Sequence, residues 1–343
     1  MMYLRPIEKR DIAALTALAE ISTLPTLPHE RSLVEQKIQH AVESFMADVV
    51  TPGRQLYMFA LEDSDPESEK TGIVGVSAIA ATTGDESPLY FFRRESLFTT
   101  APIAHIVSEI PLLTPVSYNH GPSELCSLFL HPEYRKHGLG KLLSLGRLHF
   151  MAAHGHRFTS SVSADLLGVL EGGESAFWNG IGRHFFDVPI SEIYKILNYT
   201  SDFISAFLPK HPIYVKLLPE SVQSVIGQTH TDTKAALALL QHEGFVVTDE
   251  VDIFDGGPRL KCKKEDIHTI KASAEYRVDG LEEVIQGGMQ GDVPRCLLSN
   301  GRLADFRACM SPCRLDAERH TLTLPKDAAA ALRVRVGDIV QCS

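Results

Sequence analysis

The chain has 343 residues, which at roughly 150 per domain predicts about two domains, or one large domain with an appendage. Its 44 % hydrophobic and 22 % charged residues match ordinary globular usage, allow a sizeable core and exclude global disorder. Lys and Arg number 33 against 43 Asp and Glu; the net charge of −10 argues against a nucleic-acid partner and suits a cationic small substrate. No run approaches the ~18 unbroken apolar residues of a membrane span, and Met1-Met2-Tyr3-Leu4-Arg5-Pro6 has no apolar signal core. A cytoplasmic protein with no membrane partner is expected. The six cysteines are too sparse for a disulfide scaffold. Cys309-x-x-x-Cys313 with His320 lacks a second ligand pair, so these read as ordinary thiols and no metal is expected.

In chain order, residues 3–7 predict a strand, and Asp11 stands where it would cap a helix over Ile12 to Leu18. A second helical period covers 31–48. Gln55–Leu61 and Gly72–Ile79 read as strands joined by an acidic, solvated connection, Glu62-Asp-Ser-Asp-Pro-Glu-Ser-Glu69. Residues 89–118 alternate aromatic, β-branched and Pro positions and predict more strand and loop. Glu124–Leu130 predicts a buried strand, Leu139 to Ala153 an apolar helix, and Ser160–Ala164 another strand. A short helix leads into Phe177–Gly182, and helix with breaks at Pro209, Pro212 and Pro219 follows to about residue 218. Thr233–Glu243 predicts a helix, with strands beginning at Gly244 and at Val251–Phe254. Beyond about residue 280 the texture turns to short strands and turns, including a Gly-interrupted β segment over Val334–Val340. This predicts a main region over 1–280 and a small, mostly β subdomain over 281–343.

The most informative segment is Leu128-Phe-Leu-His-Pro-Glu-Tyr-Arg135-Lys136-His137-Gly138-Leu139-Gly140-Lys141. An apolar strand feeds a turn with glycines two apart, and a helix begins at once. Glycines let successive N–H groups curl toward one point, at which the positive end of the helix dipole also aims. That geometry suits a pyrophosphate, although a Gly-capped turn before a buried helix would read the same way. Between His131 and Arg157 five Lys or Arg stand against one acid, so this window is +4 within a chain of −10. The spacing is neither that of the Walker loop nor that of the dinucleotide fingerprint. It is similar to the R-x-x-G-x-G turn with which the GNAT acyltransferase superfamily holds the pyrophosphate of coenzyme A. That resemblance implies an α+β fold, a central mixed sheet flanked by helices.

Further segments resemble one family more narrowly: Ser123-Glu-Leu-Cys-Ser-Leu-Phe-Leu130, Phe177-Trp178, Gly182-Arg-His-Phe-Phe186, Leu208-Pro-Lys-His-Pro-Ile-Tyr-Val215, Val225-Ile-Gly-Gln-Thr-His230, Gly244-Phe245, Val251-Asp-Ile-Phe-Asp-Gly-Gly-Pro258 and Leu298-Ser-Asn-Gly-Arg-Leu-Ala-Asp-Phe-Arg307. They are similar to the arginine N-succinyltransferases and run in order over nearly the whole chain. The resemblance implies succinyl transfer from succinyl-CoA, a co-substrate rather than a resident cofactor, to the α-amino group of L-arginine. Two departures stand out. Asp165-Leu-Leu167-Gly168 replaces an expected Glu-Met-Arg-Gly, and Ile21-Ser-Thr-Leu-Pro25 replaces Gly-Val-Gly-Leu-Thr. They leave ornithine or another amine open as acceptor, and a CoA-binding, non-catalytic subunit open as an alternative. A homodimer is the bare expectation from symmetric assembly.

Acyl transfer to an amine needs a neutral nucleophile, donors for the thioester oxyanion, and a proton for the departing thiolate. Glu124, eleven residues before Arg135, matches the strand glutamate that some GNAT enzymes use as base. It reads equally as a guanidinium ligand or a structural carboxylate. Where GNAT enzymes often place an acidic tyrosine, this chain has Trp178 and Leu240, neither of which can give up a proton. His230 is the best-placed substitute, and the resemblance assigns it the proton-donor role; a capping role beside Thr231 and Asp232 is the alternative. Leu125, Leu128 and Leu130 would offer backbone groups to the pantetheine arm, with Leu125 in the family's succinyl-CoA-contacting position. Arg183 or Lys210 would suit a substrate carboxylate. His184, His211 and Cys126 read as structural.

Overall fold

A computed structural model describes residues 1–22, 24–63, 72–101, 106–135, 138–285 and 295–343. Most of the acidic connection expected after Glu62 lies outside the described residues. The strands are β1 (Met2–Pro6), β2 (Leu56–Asp63), β3 (Ile73–Ala80), β4 (Leu89–Ala101), β5 (Ile106–Tyr118), β6 (Ser123–Leu130), β7 (Ser161–Asp165), β8 (Ile213–Tyr214), β9 (Val246–Asp252), β10 (Pro258–Lys263), β11 (Ala274–Glu282), β12 (Arg295–Ser299), β13 (Ala308–Pro312), β14 (Arg314–Asp316), β15 (Thr321–Pro325) and β16 (Ile339–Cys342). The longer helices used below are α1 (Ile12–Glu20), α2 (Arg31–Met46) and α3 (Leu139–Ala153). Among the described residues no helix is long and apolar enough to cross a membrane.

Two compact units form, and neither is one continuous stretch of chain. The first takes residues 1–81, 125–160 and 264–343; the second takes 82–124 and 161–263. In the first, strands run in the order β14, β15, β11, β16, β12, β13, β1, β2, β3 and the 125–130 part of β6. β1 pairs antiparallel with β2 (Leu4↔Leu61) and with β13 (Leu4↔Ala308), so the last third of the chain is tied to the first strand. α1 and α2 cover β2 and β3 through Leu15, Leu18, Val34 and Ile38, which pack with Met58, Val76 and Phe129. The apolar spacing of those helices is the cause, because residues three and four apart share a face. Edge-to-face rings of Phe45, Phe59, Phe150 and Phe306 form a separate buried aromatic group in this unit.

The second unit orders Ser123–Glu124 of β6, then β7, β10, β9, β4, β5 and β8. β6 and β7 run parallel (Glu124↔Ser163), and the others pair antiparallel. β4 and β5 form a long hairpin from Leu89↔Tyr118 to Ala101↔Ile106. Pro111 and Pro115 sit in β5, whose other side pairs with the two-residue β8 only at Leu112 and Leu113. Phe92, Leu113, Phe177, Trp178, Ile193 and Phe254 form this unit's core. Mixed strands with helices packed on them are the α+β architecture expected.

Several local expectations change. Asp11 makes no capping bond to α1; its carboxylate grips the buried Arg5 at 2.7 and 2.8 Å and accepts Glu8 N–H at 2.8 Å. Val246 through Val251 is one strand, with a turn after Asp252, where two strand starts were expected. β10 was not foreseen, because Arg259-Leu-Lys-Cys-Lys carries a cation at its most buried place. Trp178–Gly182 is a π-helical turn. The 281–343 region holds a helix, Lys326–Leu332, as well as short strands, and of the expected Val334–Val340 segment only Ile339 and Val340 lie in a strand, β16.

Candidate active site

In the first unit, the strand and the helix on either side of the turn expected to hold a phosphate are formed. His131 N–H bonds to Val74 O at 2.9 Å, Pro132–Tyr134 makes one 3-10 turn, and Gly138 at φ +75° starts α3 without a side-chain cap. Only glycine takes that φ at little cost. A Cβ at Gly138 or Gly140 would meet nothing within 4 Å, so packing within the chain does not demand glycine at Gly140. Arg135 and Lys141 are exposed beside this turn, with Leu139 and Gly140 in the first turn of α3. Lys136 and His137 lie outside the described residues.

Two of the five cations counted in this window are not at the surface. Arg147 is buried and donates to the carbonyls of Ala78 at 3.0 Å and Cys126 at 3.2 Å; burial lowers its pKa to about 10. Arg157 is buried too and donates to Tyr57 Oη and Ala47 O, both at 3.0 Å. Both are braces of the unit rather than anion ligands. The carbonyl that Arg147 holds precedes Ser127, which sits at φ +51° inside β6. A positive φ in a non-glycine strand residue bends the strand and re-aims its amides. Nothing in the sequence signalled it. Leu125 and Leu130 are buried and Leu128 half-buried in this same strand.

In the second unit, Glu124 is half-buried and pairs beside Ser163 of β7. Two residues on, Asp165 faces Arg259 at 3.4 Å. Arg259 is 1 % exposed, reaches Glu250 at 3.6 Å and stacks over Phe91 with its guanidinium carbon 4.0 Å from the ring centre. Its Nε and Nη1 nevertheless make no hydrogen bond in good geometry. Burial pushes Asp165 up to about 6, against the pull of Arg259 and Lys261. Burial also opposes the Glu250 carboxylate, but hydrogen bonds from Tyr118 and Lys261 hold it below its ordinary value. This constellation was missed: β4, β5, β7, β9 and β10 bring its members together.

The segment departing from the expected Glu-Met-Arg-Gly keeps its backbone task. Leu167 O accepts His230 N–H at 2.8 Å and the Thr229 hydroxyl at 3.3 Å, and Gly168 bridges Thr229. The His230 anchor is thus a backbone one, independent of the side chain at Leu167. Glu124 and His230 hang on one stretch of chain, whose four steps from Ser163 to Leu167 span at most ~13 Å. The His230 ring is also a cap: Nδ1 accepts Asp232 N–H at 3.1 Å, so the neutral ring carries its proton on Nε2. Beneath lies the buried Asp255, which accepts Gly257 N–H at 2.8 Å and the Tyr194 hydroxyl at 3.2 Å. Burial raises Asp255, while those donors and His230 oppose the rise. Burial and the Asp255 charge push Asp252 well above the carboxylate range. Gly168 is forced, because a Cβ there would lie 2.3 Å from Asp255 O.

Other candidates take plainer places. Trp178 is buried and donates Nε1–H to Val188 O at 2.8 Å, and Leu240 is core. Arg183, Lys210, His184 and His211 are exposed, so the two histidines are not packed as expected.

Comparison with known proteins agrees over the whole chain. The family described as arginine N-succinyltransferase beta subunit matches residues 2–269, and its C-terminal domain matches 281–343. Arginine N-succinyltransferase of Citrobacter koseri is 36 % identical over 346 residues, 99 % of this chain and 97 % of that protein. The enzyme of the same name from Salmonella schwarzengrund is 38 % identical over 347 residues, with the same coverage. The solved structure of arginine/ornithine succinyltransferase subunit AI from Pseudomonas aeruginosa superposes with a TM-score of 0.87 at 32 % identity, covering 100 % of this chain and 98 % of that one. The chain belongs to the arginine N-succinyltransferase family.

Proposed function

We propose that this protein is an arginine N-succinyltransferase, moving succinyl from succinyl-CoA to the α-amino group of L-arginine. The observation that carries it is the full-length likeness to proteins of that name; the positive φ of Gly138 at the start of α3 and the His230–Leu167 backbone bond support it. Succinyl-CoA enters as a co-substrate, and no resident cofactor is required. Its pyrophosphate would rest on the Gly138–Lys141 turn, where backbone N–H groups and the dipole of α3 favour an anion, flanked by Arg135 and, in our reading, Lys136 and His137. The pantetheine arm would follow Leu125, Leu128 and Leu130.

The neutral amine attacks the thioester carbonyl, the tetrahedral intermediate collapses, and the CoA sulfur departs with a proton while the product becomes an amide. His230 supports the departing side. With Nδ1 engaged by Asp232 N–H, its Nε2–H is the group that can donate to the developing negative charge. Glu124 serves as base for the amine or as ligand for the guanidinium. We read residues 281–343 as a module appended to the catalytic region, and a homodimer remains our expectation for the assembly.

The test is release of CoA thiol from succinyl-CoA by the purified chain on adding arginine, with ornithine, lysine and acetyl-CoA as controls. Release only with acetyl-CoA or another amine overturns the substrate assignment. Leu167 in place of the expected arginine favours one second reading, a CoA-binding subunit without catalysis. Tight CoA binding with no turnover by this chain alone would establish that reading.

A further inference from the structure

Cysteines far apart in sequence meet in the first unit. β12 pairs Cys296 with Ser311 and Leu298 with Cys309, and on its other side pairs Leu298 with Cys342. Alternate strand residues share a face. Cys296, Cys342 and Cys313, two residues past Ser311, therefore stand on one side, where Ala328, Ala331 and Leu332 close the core. Their three sulfurs all lie within 4.8 Å of one another; Cys313 and Cys342 are buried and Cys296 half-buried. Cys309 and His320, the pair suggested by spacing, are not part of this group.

We infer that Cys296, Cys313 and Cys342 form a three-thiolate site for one zinc-class divalent ion. Sulfurs on a single zinc at ~2.3 Å stand about 3.8 Å apart, so closing the group takes shifts of under ~1 Å. A disulfide fits less well. Cys296 is diagonal to both partners in the sheet, and diagonal Cα atoms lie ~7–8 Å apart, beyond what a disulfide spans without backbone movement. A disulfide would also strand the third thiol. Binding expels three thiol protons and leaves a complex of charge −1, with solvent completing the tetrahedron from the half-buried Cys296 side. The ion would fasten β16 to β12 and to the end of β13.

The test uses the reduced full-length chain, titrated with Co(II) and then Zn(II). One equivalent of cobalt should produce a thiolate-to-cobalt charge-transfer band that one equivalent of zinc abolishes, and zinc should raise the melting temperature. Cys296→Ser should weaken zinc binding roughly 100-fold or more, with unchanged circular dichroism, whereas Cys126→Ser and Cys262→Ser should not. A folded wild-type chain with all six thiols titratable and no cobalt band overturns the site. So does a band that survives Cys296→Ser, or a disulfide within the trio in freshly purified protein.

Discussion

At Gly138 and Gly140 a side-chain carbon would enter open space, whereas at Gly168 and Gly257 it would fall 2.3 and 2.1 Å from a backbone oxygen. Both pairs look alike in sequence, as glycines beside a strand end. One pair leaves the chain open to something outside it; the other lets the chain close on itself around Asp255. The turn thus leaves room for the ligand proposed above, whereas the Asp165–Gly168 segment is built by internal fit. Charge follows the same division. The turn exposes Arg135 and Lys141, while the second unit buries Arg259 between Asp165 and Glu250.

If that contrast holds, the largest effect comes from Arg259→Leu, which strands two carboxylates and should cost about 4 kcal/mol in urea unfolding. A loss under about 1 kcal/mol would show that the cluster is wet and the contrast false. Gly168→Ala should cost about 3 kcal/mol by overpacking against Asp255. His230→Asn keeps an acceptor for Asp232 N–H but loses the imidazole, so kcat should fall about 100-fold at an unchanged melting temperature. Unchanged turnover removes His230 from the chemistry.

The two units should also answer pH in opposite senses. His149 bridges the Ser299 and Ser343 hydroxyls at 3.1 and 2.8 Å, and burial holds it down to about 3 from 6.5. Below pH 6.5 the unfolded imidazole takes a proton that the folded one refuses, so stability falls as pH drops, by roughly 2 kcal/mol at most between 6.5 and 5. Asp165, raised from 3.8 to about 6, binds its proton more readily when folded, and its contribution rises as pH drops through 6. Unfolding midpoints of His149→Gln and Asp165→Asn from pH 7 to 5 should tilt in opposite directions relative to wild type. The smallest effect on stability is at the turn: Gly140→Ala should change it by no more than about 0.5 kcal/mol. The same change should raise KM for succinyl-CoA roughly tenfold, about 1.4 kcal/mol of binding.

What the sequence made legible was local. The strand entering the phosphate turn, the glycines and α3 follow from periodicity and from residues adjacent in the chain. The His230 segment was recognised, but not its anchor, because a bond to the Leu167 carbonyl leaves no mark on side-chain identity. β10 escaped because Arg259 and Lys261 look like a solvent face until the opposing Asp165 and Glu250 are in place. Asp11 was assigned to the helix that follows it; Arg5, six residues earlier and buried, competes for the same carboxylate and wins with two charged bonds. The thiols needed the register of three strands, which spacing does not encode.

Arg147 and Arg157 carry a last consequence. Each adds a full charge to the sequence count of the window around the phosphate turn, yet each lies inside the fold, spending its donors on carbonyls and a phenol. A polyanion approaching through solvent still feels both charges at a distance, but finds no accessible donor from either on contact. On the binding mode proposed above, ionic steering weakens with salt, while direct contact with the coenzyme falls to Arg135, Lys141 and the backbone amides of the turn.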